Sequence, residues 1–155
     1  MVGTLAIAVD AALTAAFSAA NTAVGAGSPN RISVYRAMIP GVPTNRYAVV
    51  YGSVSRGTSS LNGVGRDGNV RFQVTCAATA PDTNRAADAC DWLVNTAMNA
   101  LVGAQLSVDG WAPFIVEQDT EGFDTFPIPV EVVPGRDTVE QALRFQSLTD
   151  RITTP

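Results

Sequence analysis

From Val70 to Cys76 the chain alternates strictly. Val70, Phe72, Val74 and Cys76 point one way; Arg71, Gln73 and Thr75 point the other. A period of two marks a strand with one buried and one wet face. Thr79-Ala-Pro-Asp82 breaks the pattern. Thr79 or Asp82 can cap a helix, and Pro81 suits a first helical turn. Ala86, Cys90, Leu93, Ala97 and Leu101 then recur at three- and four-residue steps, one apolar helical stripe closed by Gly103. At 3.6 residues per turn this helix has about five turns. It is expected to fold back and lay its stripe on the strand's apolar face, so residues 70–102 form the core unit.

The remaining elements are placed around that unit. Leu5, Val9, Leu13, Ala16, Phe17 and Ala20 share one face of a helix over residues 4–20, with Thr4 as a cap. Residues 21–30 read as a loop broken by Gly25, Gly27 and Pro29. A short strand is expected around Ile32 and Val34, and a longer one over residues 47–55, rich in β-branched and aromatic residues. Pro40, Gly41 and Pro43 make a rigid connection between them. The glycine- and serine-rich stretch 56–69 joins strand 47–55 to strand 70–78. The simplest topology is a long hairpin, so these two strands should pair antiparallel. That loop exceeds the usual hairpin connection of roughly 2–5 residues. Short strands are expected at 105–108, 111–118 and 128–133. Pro113 interrupts the second, and Pro127 and Pro129 confine the third to an edge or an irregular pairing. The final element fits a helix through Val139 and Leu143, or a strand with Leu143, Phe145 and Ser147 alternating with Arg144 and Gln146. The strand, at about 141–149, is preferred, with a loose tail over 150–155. The order predicts an α+β domain spanning residues 1–155: a single antiparallel-rich sheet with two helices packed on one face.

Composition narrows the chemistry. A chain of 155 residues suits one domain. Only 15% of its residues are charged against 46% hydrophobic, so much uncharged surface must face something, and contact between subunits is one way to cover it. All ten basic residues are Arg. Without His the usual general base, the usual metal ligand and every Ser-His or Cys-His pair are missing. Without Lys there is no Schiff base and no P-loop. A net charge of -4 argues against a general nucleic-acid binder. Cys76 and Cys90 both fall on apolar faces and read as small buried hydrophobes, although a disulfide between them is possible. The apolar N-terminus lacks a basic n-region and carries Asp10, so neither a signal peptide nor a membrane span is expected, and folding in a cytoplasm is.

Three patterns invite functional readings. Gly63-Val-Gly-Arg-Asp-Gly68 is a literal G-x-G-x-x-G, but a dinucleotide site needs a helix after it, and here a strand follows. Glu117, Asp119, Glu121 and Asp124 form an acidic run without EF-hand spacing, better read as a solvated turn or a negative patch facing a partner. Asp82, Asp88 and Asp91 lie on the second helix near Arg85; paired carboxylates can do acid–base work, but this is also how an exposed helix face looks. Trp92, Trp111, Tyr47 and Tyr51 suit either an interface or a core. No catalytic residue, cofactor site or metal site is assigned.

Several stretches together resemble the tail terminator (tail completion, tail-to-head joining) proteins of long-tailed bacteriophages, including the terminator of phage lambda. The likeness runs through the N-terminal helix, Arg31-Ile-Ser-Val-Tyr35 and a loop ending in Pro43. It continues in Tyr47-Ala-Val-Val-Tyr51, Val70-Arg-Phe-Gln-Val-Thr-Cys-Ala-Ala-Thr-Ala-Pro-Asp82 before an Ala-rich helix, and Leu143-Arg-Phe-Gln-Ser-Leu-Thr149 as a closing strand. Pro127, Pro129 and the acidic turn have no counterpart in it. The resemblance implies a siphophage virion protein without catalytic residues or cofactor, assembled in the host cytoplasm and placed at the head–tail junction. It would form a homohexameric ring on the head-proximal end of the tail tube. There it would stop polymerisation, contact the major tail tube protein and the head-completion or neck connector, and let viral DNA pass without specific binding. An acidic ring would repel DNA from its bore. The contact residues expected on this reading are Arg56, Arg66 and Asp67 in the hairpin loop, and Glu117, Asp119 and Glu121 in the acidic run. The alternatives are a head-closure or neck connector, a small ligand-binding domain or enzyme built on the carboxylates, and a secreted disulfide-linked protein.

Overall fold

A computed structural model describes residues 4–39, 41, 43–56, 68–119, 127–130 and 135–152. Two helices, α1 (Leu5–Val24) and α2 (Thr83–Leu101), lie against a mixed sheet. Its strands are β1 (Ile32–Arg36), β2 (Arg46–Arg56), β3 (Gly68–Ala80), β6 (Glu117–Gln118), β7 (Ile128–Val130) and β8 (Asp137–Thr149). They run in the order β1-β2-β3-β8-β6, and β7 also pairs with β8. β4 (Gln105–Leu106) and β5 (Phe114–Ile115) form a separate two-stranded ribbon. The fold is α+β, with both helices on one face, as the pattern predicted.

The core follows from the two periodicities. Val70, Phe72, Val74 and Cys76 of β3, with Ala48 and Val50 of β2 and Leu143 and Phe145 of β8, are buried. α2 lays Ala86, Cys90, Leu93, Ala97 and Leu101 over β3 and β8, and α1 lays Leu5, Val9, Leu13 and Phe17 over β1 and β2. Phe72 and Phe145 are cross-strand partners whose rings stack 4.9 Å apart. α1 has the length and hydropathy of a membrane-crossing helix, and in this fold its apolar stripe is spent on the sheet. Both cysteines are buried free thiols; the Cys90 Sγ donates to the Cys76 carbonyl at 3.6 Å.

Several local expectations are corrected. β1 and β2 are sequence neighbours but pair in parallel, so the 37–45 connection must carry the chain back along the sheet. It does so without a helix, packing Ile39 beside Tyr35 on Tyr47, Val49 and Ala77 of the opposite sheet face. α1 continues through Asn21 to Val24 because Asn21 has a buried task. Its Nδ2 donates to the Ile32 carbonyl at 3.0 Å, and its Oδ1 accepts from the Ile32 N–H at 2.7 Å. One amide thus closes the start of the edge strand. Thr4 stands at the N-cap without a side-chain bond, whereas the Asp82 carboxylate accepts from the Arg85 N–H at 2.9 Å. Thr79 remains in β3, sharing a buried hydroxyl bond of 2.7 Å with Thr138. The closing element is a strand, and it starts at Asp137 rather than about 141. The chain beyond it, expected to be loose from residue 150, is held as far as Ile152, whose N–H donates to the Gly110 carbonyl at 2.9 Å.

Candidate interaction surface

The sheet has one helix-covered face and one that, among the described residues, is largely open. Along β3 the open side carries Asn69, Arg71, Gln73 and Thr75; β2 adds Tyr51, Ser53 and Ser55, and β8 adds Arg144, Gln146 and Leu148. The 37–45 connection covers this face only at the Tyr47–Ala77 end. Burial there, with Glu140, Tyr35 and Tyr51 nearby, pushes the Tyr47 phenol above its ordinary pKa.

The far edge of the sheet is built by the segment from Asp109 to Asp119. Trp111 bridges Arg151, the Ala112 N–H donates to the Asp150 carbonyl at 2.7 Å, and Glu117 and Gln118 pair with Gln146 and Phe145. The Asp119 N–H donates to the Arg144 carbonyl at 2.9 Å. The Thr149 hydroxyl donates to the Ala112 carbonyl at 2.5 Å, and the Ser147 hydroxyl to the Ile115 carbonyl at 2.6 Å. Short strands interrupted by Pro113 are thus tied to β8 by side-chain hydroxyls as well as by ladder bonds. The Trp111 ring lies over Gly68, where a Cβ would meet the Trp111 Cζ3 atom and stand 2.7 Å from the Thr149 methyl. Gly68, the last glycine of the G-x-G-x-x-G, therefore serves packing in a strand, and the helix required for a nucleotide site is absent there.

Beside this edge runs a groove of about 640 Å³. Ile115 and Leu148, 50% and 53% exposed, give it apolar walls, and Arg71 and Glu117 stand on its polar margin. Two of the six expected contact residues, Glu117 and Asp119, come together on this edge. Arg56 ends β2 opposite Gly68, at the root of the hairpin loop. Arg66, Asp67 and Glu121 lie outside the described residues. The acidic run was visible in the sequence; that its first two members, Glu117 and Asp119, edge the sheet was not, because two-residue strands leave no periodicity. The groove joins residues from three separated segments and has no linear signal.

The carboxylates of α2 do not converge. Asp82 is occupied by its cap and by Arg85, 3.3 Å away, while Asp88 and Asp91 are exposed. Among the described residues no group of three or more His, Cys, Asp or Glu is placed to hold a metal ion. Burial pushes the Cys76 thiol up to about 12, with Cys90 adding to it. Burial, then Asp91 and Glu140, push the Cys90 thiol up to about 11. Neither is an activated nucleophile.

No family model and no curated protein matches the chain. Among solved structures, a chain from the virion of the native gene transfer agent (GTA) particle is similar. It is 19% identical, with a TM-score of 0.51, over 94% of this chain and 95% of that one. A second solved chain is 20% identical over 94% of this chain and 96% of its own, at a TM-score of 0.41. The first likeness shows a common fold running the length of both chains.

Proposed function

We propose that the protein is a structural subunit of a virion: a tail terminator whose copies form a ring, hexameric on the resemblance, at the head-proximal end of a tail tube. The ring ends tube polymerisation and joins tail to head. The observation that carries this reading is the fold shared end to end with a chain of a virion particle. The terminator-like order of elements adds to it, and so does the open sheet face with its apolar-walled groove, a surface suited to a partner. The role is one of assembly; the α2 carboxylates that an enzyme reading would use are capped, in the case of Asp82, or exposed and apart, in the case of Asp88 and Asp91. The contacts proposed are Glu117, Asp119 and Glu121 of the acidic run, Arg56 at the end of β2, and Arg66 and Asp67 in the connection that follows it.

The test is a particle lacking this chain. Tails that overgrow and remain unattached to filled heads are expected. Tails of normal length joined to heads would reject the assignment, and normal-length tails that fail only at joining would move it to a neck connector. Deleting residues 59–66 should leave the circular dichroism spectrum intact and abolish tail completion; normal tail length and infectivity would remove the loop from the contact set.

A further inference from the structure

One margin of the sheet ends in a short run of unpaired backbone. β1 stands at the end of its row, paired in parallel with β2. Its peptide groups alternate between facing β2 and facing outward. Two observations fix which do which. The Ile32 N–H and C=O are both taken by the Asn21 amide, outside the ladder, and the Ala37 N–H donates to the Val50 carbonyl of β2 at 2.9 Å. Ser33 and Tyr35 therefore face β2, and Val34 and Arg36 face outward. Asn21 closes one end of the outward row. The other end closes where the Arg36 carbonyl accepts from the Met38 N–H at 2.7 Å and Ala37 turns the chain at φ 63. Between these stops the Val34 N–H, the Val34 C=O and the Arg36 N–H have no partner among the described residues. The opposite margin offers no such run among the described residues: it is split into β6 and β7, of two and three residues, with Pro129 inside β7.

We propose that this run is a docking edge, and that its occupant is an extended acidic segment of another protein, added as a strand beside β1. Charge selects the occupant. Arg31 and Arg36 are exposed at either end of the strand, and Arg46 starts β2 in register with Ile32. Asp10 answers Arg36 at 3.4 Å, while Arg31 and Arg46 make no ion pair among the described residues. A second copy of this chain fits badly. Antiparallel pairing of two β1 strands about Val34 would set Arg36 of each against Ile32 of the other, next to its Arg31, and like charges facing across strands oppose pairing. Carboxylates on an incoming strand instead meet guanidiniums at both ends, about 16 Å apart at 3.3 Å per residue, a span of roughly five or six residues. The backbone groups supply the attachment and the arginines the choice of sequence. The inference does not need the ring; it holds wherever a neighbouring protein reaches this edge.

The test is amide hydrogen exchange on the full chain, read by NMR, with two amidated peptides of about six residues. One alternates glutamate with threonine, the other lysine with threonine. In the free chain the Val34 and Arg36 amides should exchange fast, and those of Ser33 and Tyr35 slowly. The glutamate peptide at millimolar concentration should slow Val34 and Arg36 at least about tenfold, and the lysine peptide should leave both unchanged. Val34→Pro deletes an outward donor without removing a bond to β2, and should weaken binding of the glutamate peptide by about tenfold. Arg31→Glu, at an exposed position, should weaken it through charge, and it keeps the test open if Val34→Pro fails a circular dichroism check of its fold. No protection by the glutamate peptide, protection elsewhere on the sheet, or equal protection by both peptides would overturn the proposal. So would binding that a folded variant leaves unchanged. Protection of these two amides in the free chain that falls on dilution would overturn it in favour of a second copy.

Discussion

The two faces of the sheet share a backbone but differ in what covers them. On the covered side, Phe72 and Phe145 stack under α2 and the strands read as uninterrupted apolar positions. On the open side the same strands present Arg71, Gln73, Thr75, Arg144 and Gln146, and among the described residues the large apolar cover comes from a short connection at one end. Alternation with period two therefore wrote two different instructions into each strand: one for folding, one for whatever meets the protein from outside.

Substitutions should separate the faces. Phe145→Ala is expected to cost about 3–5 kcal/mol, because it empties a stacked core position. Arg144→Ala, its neighbour on the open face, should stay within about 0.5 kcal/mol. Urea denaturation of both variants measures the contrast, and similar losses would break the comparison.

Alkaline pH is next. A thiol held neutral in the fold contributes stability that is complete below its unfolded pKa and is lost as pH rises toward the folded value. Between the ordinary 9.0 and about 12 for Cys76, the unfolded state gives up a proton that the folded state keeps. Each such group should cost about 1.4 kcal/mol per pH unit in that window. Cys76→Ala should flatten the slope of stability against pH above 9 while lowering stability at pH 7 by its cavity; an unchanged slope would contradict the burial argument.

Gly68→Ala should cost roughly 1–3 kcal/mol through overpacking against Trp111 and Thr149. A less bulky residue at position 111 should reduce that penalty in a double-mutant cycle. Asp82→Ala is expected to cost about 1 kcal/mol by removing the α2 cap, read as a drop in thermal midpoint.

Much of the fold was legible where one period ran uninterrupted. The alternation of 70–76, the stripe from Ala86 to Leu101 and the antiparallel hairpin all stand as the residues implied. What escaped depended on distant partners. Asn21 looked like a loop residue because its use is an amide aimed at Ile32, eleven positions on. The parallel β1–β2 pair escaped because a nine-residue connection without a helix ordinarily belongs between antiparallel strands. Of the candidate surface, the sequence showed the acids Glu117 and Asp119, but the edge that holds them is made by β8 and by hydroxyls of Ser147 and Thr149.

The most direct test of the account is the solution mass of the full chain by light scattering, with and without tail tube protein. A hexamer, or a monomer that becomes a ring on the tube, is predicted. A monomer indifferent to tube protein would contradict the terminator assignment.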